Sequence, residues 1–155
     1  MRSVCIFLVF ISLGTHAAFA QPFWRPAGHH LMTEFAQQVN PQQPWPEYPR
    51  PQMERQDWMN LNGLWNYTLT DALFDGIPQH WEGKILVPFA MESALSGVGK
   101  TVTPDQLLWY ERKFVVPDTW KNKHVLLHFE AVDWQARVFL NGHELGLHQG
   151  GYDAF

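Results

Sequence analysis

Cysteine is almost absent from this sequence of 155 residues. The one cysteine, Cys5, lies in a short apolar segment near the N-terminus, and no other follows it. A disulfide framework is therefore excluded, and so is a cysteine nucleophile in the rest of the chain. We expect the fold to be held together by burial of apolar side chains alone.

An apolar run long enough to cross a bilayer is also missing. The run from Val4 to Leu13 has ten residues, whereas a transmembrane helix needs roughly 20. Arg2 precedes this run and the small residues Ala18 and Ala20 follow it, which is typical of a secretory signal peptide cleaved after Ala20. We therefore expect residues 1–20 to lie outside the fold, and the mature chain to be exported, periplasmic or extracellular, without a membrane anchor.

Positive charge is sparse. The formal net charge is -4, and loss of Arg2 with the signal peptide would make it more negative still. No cluster of lysine or arginine could follow a phosphate backbone, so we expect no nucleic-acid partner.

Cofactor and metal motifs are missing as well. Gly99-Lys100-Thr101 matches the end of a phosphate-binding loop, but Ala94 stands where its first glycine belongs and Pro104 prevents the helix that should follow. The histidines lack the carboxylate or cysteine spacing of a metal site. We expect no cofactor and no metal.

Aromatic residues, in contrast, are abundant. They make up 15% of the sequence and include eight tryptophans. Their faces suit the apolar faces of sugar rings but equally fill the cores of β-sandwiches, and composition favours the core.

A proline-rich segment comes first in the mature chain. Residues 21–57 hold most of the prolines, including PWPEYPRPQ, and each proline restricts itself and its predecessor to extended conformations. We interpret this segment as an extended lead-in along the surface, with a short helix predicted over Leu31–Val39.

Short alternating segments fill residues 58–155 and predict an all-β domain. The segments are Leu64–Leu69, Lys84–Phe89, Leu107–Pro117, 124–132, Gln135–Leu140 and the stretch after Asn141-Gly142. An Asn-Gly pair between apolar alternations is a strong hairpin signal, and Ala90–Gln106 is predicted to be a long loop. Such spacing favours an antiparallel β-sandwich.

Two features of this domain bear on chemistry. Glu111, Glu130, Asp133 and Glu144 resemble glycosidase carboxylates by residue type only, since each falls on a polar strand face or a turn. Asp133-Trp134 lies between two predicted strands, where loops present binding groups on a rigid frame. A buried corner tryptophan is the favoured alternative for Trp134.

Four blocks of sequence carry a family resemblance. They are LNGLWNY at 61–67, ILVPFAMES at 85–93, LWYERKFVVP at 108–117 and VLLHFEAVDWQARVFLNGHELGLHQGGYDAF at 125–155. In this order and spacing they resemble the N-terminal sugar-binding domain of glycoside hydrolase family 2, which includes β-galactosidases, β-glucuronidases and β-mannosidases.

The resemblance implies a jelly-roll β-sandwich of the galactose-binding-like type, incomplete at its C-terminal end in this chain. It also implies that an immunoglobulin-like domain and a TIM barrel with the catalytic residues would follow. In the family the acid/base glutamate follows an asparagine, and no Asn-Glu pair occurs here. We therefore expect no catalytic residue in this chain, and no activity from it alone.

The expected partner is carbohydrate, a β-linked glycan or glycoside. In some family members loops of the first domain reach the active site, and the corresponding loop here is PFAMESALSGVGKTVTPDQ. We nominate Glu92, Ser93, Asp133 and Trp134 as substrate contacts. The alternative function is a free-standing secreted carbohydrate-binding module without hydrolytic activity.

Overall fold

A computed structural model describes residues 4–11, 24–28 and 31–155. These ranges contain six strands: β1 Val4–Ile11, β2 Gly63–Asp71, β3 Gly83–Val87, β4 Gln106–Phe114, β5 Gln135–Leu140 and β6 His143–Gln149. They also contain four short 3₁₀ helices, at Glu34–Gln38, Pro51–Met53, Ala94–Ser96 and Asp118–Trp120. No α-helix occurs in the described ranges, so the fold is all-β, as predicted.

The strands form one mixed sheet in the order β3-β2-β4-β1-β5-β6. β2 pairs antiparallel with β3 and β4, and β5 pairs antiparallel with β6. β1 runs parallel to both of its neighbours, β4 and β5. The expectation of a purely antiparallel arrangement is therefore wrong at β1, and within the described ranges there is a single sheet.

β1 consists of residues that the sequence assigns to the signal peptide. Leu8 and Val9 are both fully buried, at 0% exposure, so residues 4–11 of the intact chain lie at the centre of the fold and not outside it. The physical reason is that a short run of branched and aromatic residues suits a strand buried on both faces as well as it suits a leader. Residues 12–20, with the expected cleavage point, lie outside the described residues, and cleavage stays a prediction.

Period-two alternation divides the apolar side chains between the two faces of the sheet. The larger cluster is centred on Phe7, which stacks on Tyr110 with ring centroids 5.0 Å apart and meets Trp65 edge-on at 5.8 Å. Its other buried members are Val9, Tyr67, Ile85, Met91, Leu108 and Ala136. The smaller cluster on the opposite face contains Ile6, Leu8 and Trp109.

Most of the predicted strands are confirmed. β2, β3, β4, β5 and β6 all fall on predicted segments, and β3 ends immediately before Pro88. Asn141 and Gly142 both have positive φ, 51° and 82°, which is the conformation that a two-residue Asn-Gly hairpin requires. The predicted helix over Leu31–Val39 is reduced to a 3₁₀ turn at Glu34–Gln38.

The predicted strand at 124–132 is wrong. Both edges of β4 are already occupied, by β2 and β1, so this segment lies over the sheet instead of entering it. Leu127 and Phe129 pack on the larger cluster, while Leu126 faces solvent. Phe129 exchanges two backbone hydrogen bonds with Phe155, at 2.8 and 2.9 Å. Among the described residues, this short pairing is the backbone structure that covers the face of the sheet with the larger cluster.

Removal of residues 1–20 should break the sheet, because β4 and β5 would lose the strand that joins them. We expect Gln21–Phe155 to form dimers or aggregates through the exposed strand edges and to melt without cooperativity. Light scattering after gel filtration and a thermal melt, each compared with the intact chain, measure this.

A substitution can imitate the removal without shortening the chain. Leu8→Asp places a charge at a fully buried position and should have the same effect, whereas Leu73→Asp, at a position 91% exposed, serves as the control. A monomeric Gln21–Phe155 that melts cooperatively at the temperature of the intact chain would contradict the assigned role of β1.

Candidate functional site

Two of the nominated residues, Glu92 and Ser93, lie in the loop between β3 and β4. The Ser93 hydroxyl donates to the Ala90 carbonyl at 2.7 Å and accepts from the Ser96 amide at 3.2 Å, where it caps the 3₁₀ turn. Glu92 is exposed, and its carboxylate lies 3.5 Å from the Val102 amide. Ser93 therefore shapes the loop, while the carboxylate of Glu92 faces solvent.

The other two nominated residues, Asp133 and Trp134, connect the 124–132 segment to β5. The Asp133 carboxylate is exposed and lies against Gly151, where a Cβ atom would come within 2.7 Å of Oδ1. The Trp134 carbonyl accepts from the Gly150 amide at 2.8 Å. The side chain of Trp134 is half-buried, which is intermediate between a free binding group and a buried corner tryptophan.

The structure places Asp133 beside Cys5 of β1, whose Sγ lies 3.9 Å from the Asp133 carbonyl oxygen. Burial first, and then the charges of Glu92 and Asp133, raise the pKa of the Cys5 thiol to about 12. Burial also raises the pKa of the Tyr110 hydroxyl, with smaller contributions from Cys5 and Glu92. We call the group formed by Glu92, Asp133, Cys5 and Tyr110 the carboxylate rim.

A second concave surface, the amide cleft, lies in the lead-in segment. Its volume is about 440 Å³, and it is lined by Asn40, Gln42, Gln43, Pro46, Trp58, Asn60 and Asn62. Five of the seven lining side chains are carboxamides and none is charged. Behind the lining, Tyr48 packs against Trp58 with ring centroids 4.9 Å apart.

Hydrogen bonds hold three asparagines of the amide cleft in place. Asn60 donates to the Trp45 carbonyl at 2.7 Å and accepts from the Asn62 amide at 2.8 Å. Asn40 accepts from the Gln42 amide at 3.0 Å. These bonds fix the walls of the cleft before any ligand arrives.

Sequence reasoning did not identify the amide cleft. The proline pattern of residues 21–57 predicts only an extended lead-in, whereas the cleft forms where this segment meets the residues preceding β2. The signal available was the repetition of amides in NPQQ and NLN, residues 40–43 and 60–62.

The described ranges lack two other kinds of site. They contain no group of three or more His, Cys, Asp or Glu residues placed to hold a metal ion. Among those residues there is also no helix with the length and apolar character to span a bilayer.

Known proteins similar to this chain are glycosidases. A β-galactosidase of Thermoanaerobacter pseudethanolicus is 34% identical over 103 residues, which is 64% of this chain and 14% of the relative. A β-glucuronidase of Bacteroides fragilis is 29% identical over 107 residues, 66% of this chain and 14% of the relative. The chain carries a glycoside hydrolase family 2-like domain.

A mammalian relative extends the family 2 similarity. The β-glucuronidase of Canis lupus familiaris is 28% identical over 124 residues, 70% of this chain. The chain spans less than a fifth of the length of these relatives, between 14% and 19%. No family model matches the chain.

The loop that carries Glu92 in this family 2-like domain depends on Gly97. Gly97 has φ of 78°, and a Cβ atom there would lie 2.9 Å from the Trp24 indole nitrogen. Gly97→Ala should therefore destabilise the protein by about 1–3 kcal/mol, as measured by urea unfolding. Gly76→Ala is the control, because Gly76 also has positive φ but open space around it; equal losses from the two variants would rule out the contact with Trp24 as a cause.

The same loop is tied through Lys100 to Glu82, the residue before β3, by an ion pair whose contribution should depend on pH. The Glu82 carboxylate accepts from Lys100 Nζ at 2.6 Å and from the Leu69 amide at 2.9 Å, and these bonds, that of Lys100 foremost, lower the pKa of Glu82 below its ordinary value. Since the folded-state pKa is the lower one, the stabilisation is complete above the unfolded pKa and is lost as pH falls through the folded pKa.

We expect Glu82→Gln to reduce the free energy of unfolding near pH 7 by no more than about 1 kcal/mol, because solvent screens this partly exposed pair. The difference from the unsubstituted chain should vanish in acid. Urea unfolding from pH 7 to pH 3 measures it, and a difference that persists undiminished at pH 3 would contradict the ion-pair origin.

Proposed function

We propose that this chain is the N-terminal sugar-binding and architectural part of an exported glycoside hydrolase that hydrolyses O-glycosyl bonds. The observation that carries the proposal is the similarity to a β-galactosidase and to β-glucuronidases over about two thirds of the chain. The all-β fold agrees with a domain of this kind, and the leader pattern of residues 1–20 supports export. The substrate would be a β-linked glycan or glycoside.

Two of the four candidate carboxylates, Glu111 and Glu144, lie close to cationic side chains, which favours an architectural role over catalysis. Glu111 is buried, accepts from the Asn66 amide and lies 3.8 Å from Lys113. Glu144 lies 3.6 Å from Arg137. Carboxylates held in such pairs are not poised as the acid and nucleophile of a glycosidase, which must act together across one glycosidic bond.

The edge of the sheet supports a contact with further domains. β6 is an edge strand, and Leu145, Leu147 and Tyr152 on and beside it are exposed. Exposed apolar side chains on an unpaired edge are a liability unless another surface covers them. We assign that covering surface to the immunoglobulin-like and TIM-barrel domains of a longer protein.

The alternative is a free-standing secreted carbohydrate-binding module. The observation that favours it is the amide cleft, whose hydrogen-bonded frame lies within residues 40–62. In that case sugar binding would need no catalytic domain.

Expression of the continuous reading frame distinguishes the two functions. We expect a product extending beyond Phe155 to hydrolyse p-nitrophenyl β-galactoside or β-glucuronide, and the chain of 155 residues to hydrolyse neither, because the catalytic pair lies outside it. A stop codon directly after Phe155, or an extended product that hydrolyses no β-glycoside, would favour the binding module.

A further inference from the structure

We propose that the amide cleft binds a neutral pyranose unit of an oligosaccharide, at a place separate from the carboxylate rim. This inference rests on the proposed function, since it assigns a specific sugar contact to the sugar-binding domain. The cleft volume of about 440 Å³ lies within the range of about 300–1,000 Å³ typical of small-molecule sites.

The lining chemistry matches sugar hydroxyls. A carboxamide offers two donor hydrogens and an acceptor oxygen, and each hydroxyl is both a donor and an acceptor. The side chains of Gln42 and Gln43 line the cleft, and both residues are exposed. Their amide groups are therefore accessible to hydroxyl groups of a ligand.

Trp58 supplies the apolar surface that a pyranose ring needs. It lines the cleft and remains 38% exposed, while Tyr48 supports it at a centroid distance of 4.9 Å. The ring faces of tryptophan and tyrosine suit the apolar faces of sugars. A supported indole loses little freedom on binding, which favours affinity.

The charge of the lining selects the class of ligand. No lining residue is acidic or basic, so a phosphate or carboxylate would enter without a countercharge and would lose hydration without compensation. A neutral oligosaccharide is therefore favoured over a nucleotide or a chain ending in glucuronic acid.

The cleft is also formed in advance. Asn60 holds the Trp45 carbonyl, and Asn62 donates to the Pro44 carbonyl at 3.5 Å. These bonds hold the Pro44–Pro46 turn close to the start of β2. The turn forms the wall of the cleft to which Pro46 belongs. Binding then requires ordering of the two glutamines more than of the backbone.

Titration calorimetry of the 155-residue chain tests the proposal. The probes are neutral β-linked gluco- and galacto-oligosaccharides, with a glucuronic-acid-terminated oligosaccharide and inorganic phosphate for comparison. We expect the neutral oligosaccharides to bind, and phosphate not to bind. Gln42→Ala/Gln43→Ala should weaken binding about 3- to 10-fold, and Trp58→Ala at least about tenfold.

Matched variants separate a loss of the site from a loss of the fold. Gln38→Ala/Gln52→Ala removes two exposed amides outside the cleft and should leave binding unchanged. Trp58→Phe keeps an aromatic face and should recover part of the affinity. Each variant should melt within a few degrees of the unsubstituted chain.

Other outcomes would overturn the proposal. One is the absence of binding to any neutral oligosaccharide, and another is undiminished binding in both cleft variants. If Asp133→Asn or Glu92→Gln abolishes binding while the cleft variants retain it, the sugar lies on the carboxylate rim and the proposed function stands without the cleft. Hydrolysis of aryl glycosides by the extended product tests the proposed function independently, because that assay does not depend on the cleft.

Discussion

The position of β1 between β4 and β5 is the constraint on which the rest of the sheet depends. Its backbone pairs with both neighbours in parallel register, and its side chains enter both apolar clusters. Phe7 is central because three aromatic rings, those of Trp65, Tyr110 and Phe129, meet it within 5.8 Å. Without this strand the sheet would separate into β3-β2-β4 and β5-β6.

The residues of β1 therefore have two possible uses that exclude each other. As a leader they would be removed on export, and as a strand they join the two halves of the sheet. Both uses follow from the same property, a short run of branched and aromatic side chains without charge. If the leader is cleaved, another strand must fill the space between β4 and β5. Otherwise these strands keep unpaired edges that can pair with other chains.

The sequence pattern correctly predicts those features of the fold that a few neighbouring residues determine. The alternation in β2 and β4, the end of β3 before Pro88 and the Asn141-Gly142 turn are each decided within a few residues, and the structure has them where the sequence puts them. The 124–132 segment shows the limit of this reasoning. Its alternation is as regular as that of β4, but whether it enters the sheet depends on a competing strand more than a hundred residues away.

The candidate sites also differ in whether nearby sequence is enough to predict them. Glu92, Ser93, Asp133 and Trp134 are predicted from loops between strands. The charges of Glu92 and Asp133 both act on the Cys5 thiol, whereas Ser93 caps a turn. The amide cleft could not be found in this way, because its residues come from a segment without periodicity and meet only when Asn60 binds the Trp45 carbonyl.

The carboxylate rim and the amide cleft should also respond differently to the loss of β1. The carboxylate rim includes Cys5 of β1 and stands on the sheet that β1 completes, so a change in this strand would alter it directly. The hydrogen bonds that frame the amide cleft all lie within residues 40–62, and none of its lining residues belongs to β1. Leu61, between Asn60 and Asn62, packs on the larger cluster, and its carbonyl accepts from the Trp65 indole at 2.8 Å. Loss of residues 1–20 would therefore act on the cleft indirectly, through Leu61 and the cluster centred on Phe7.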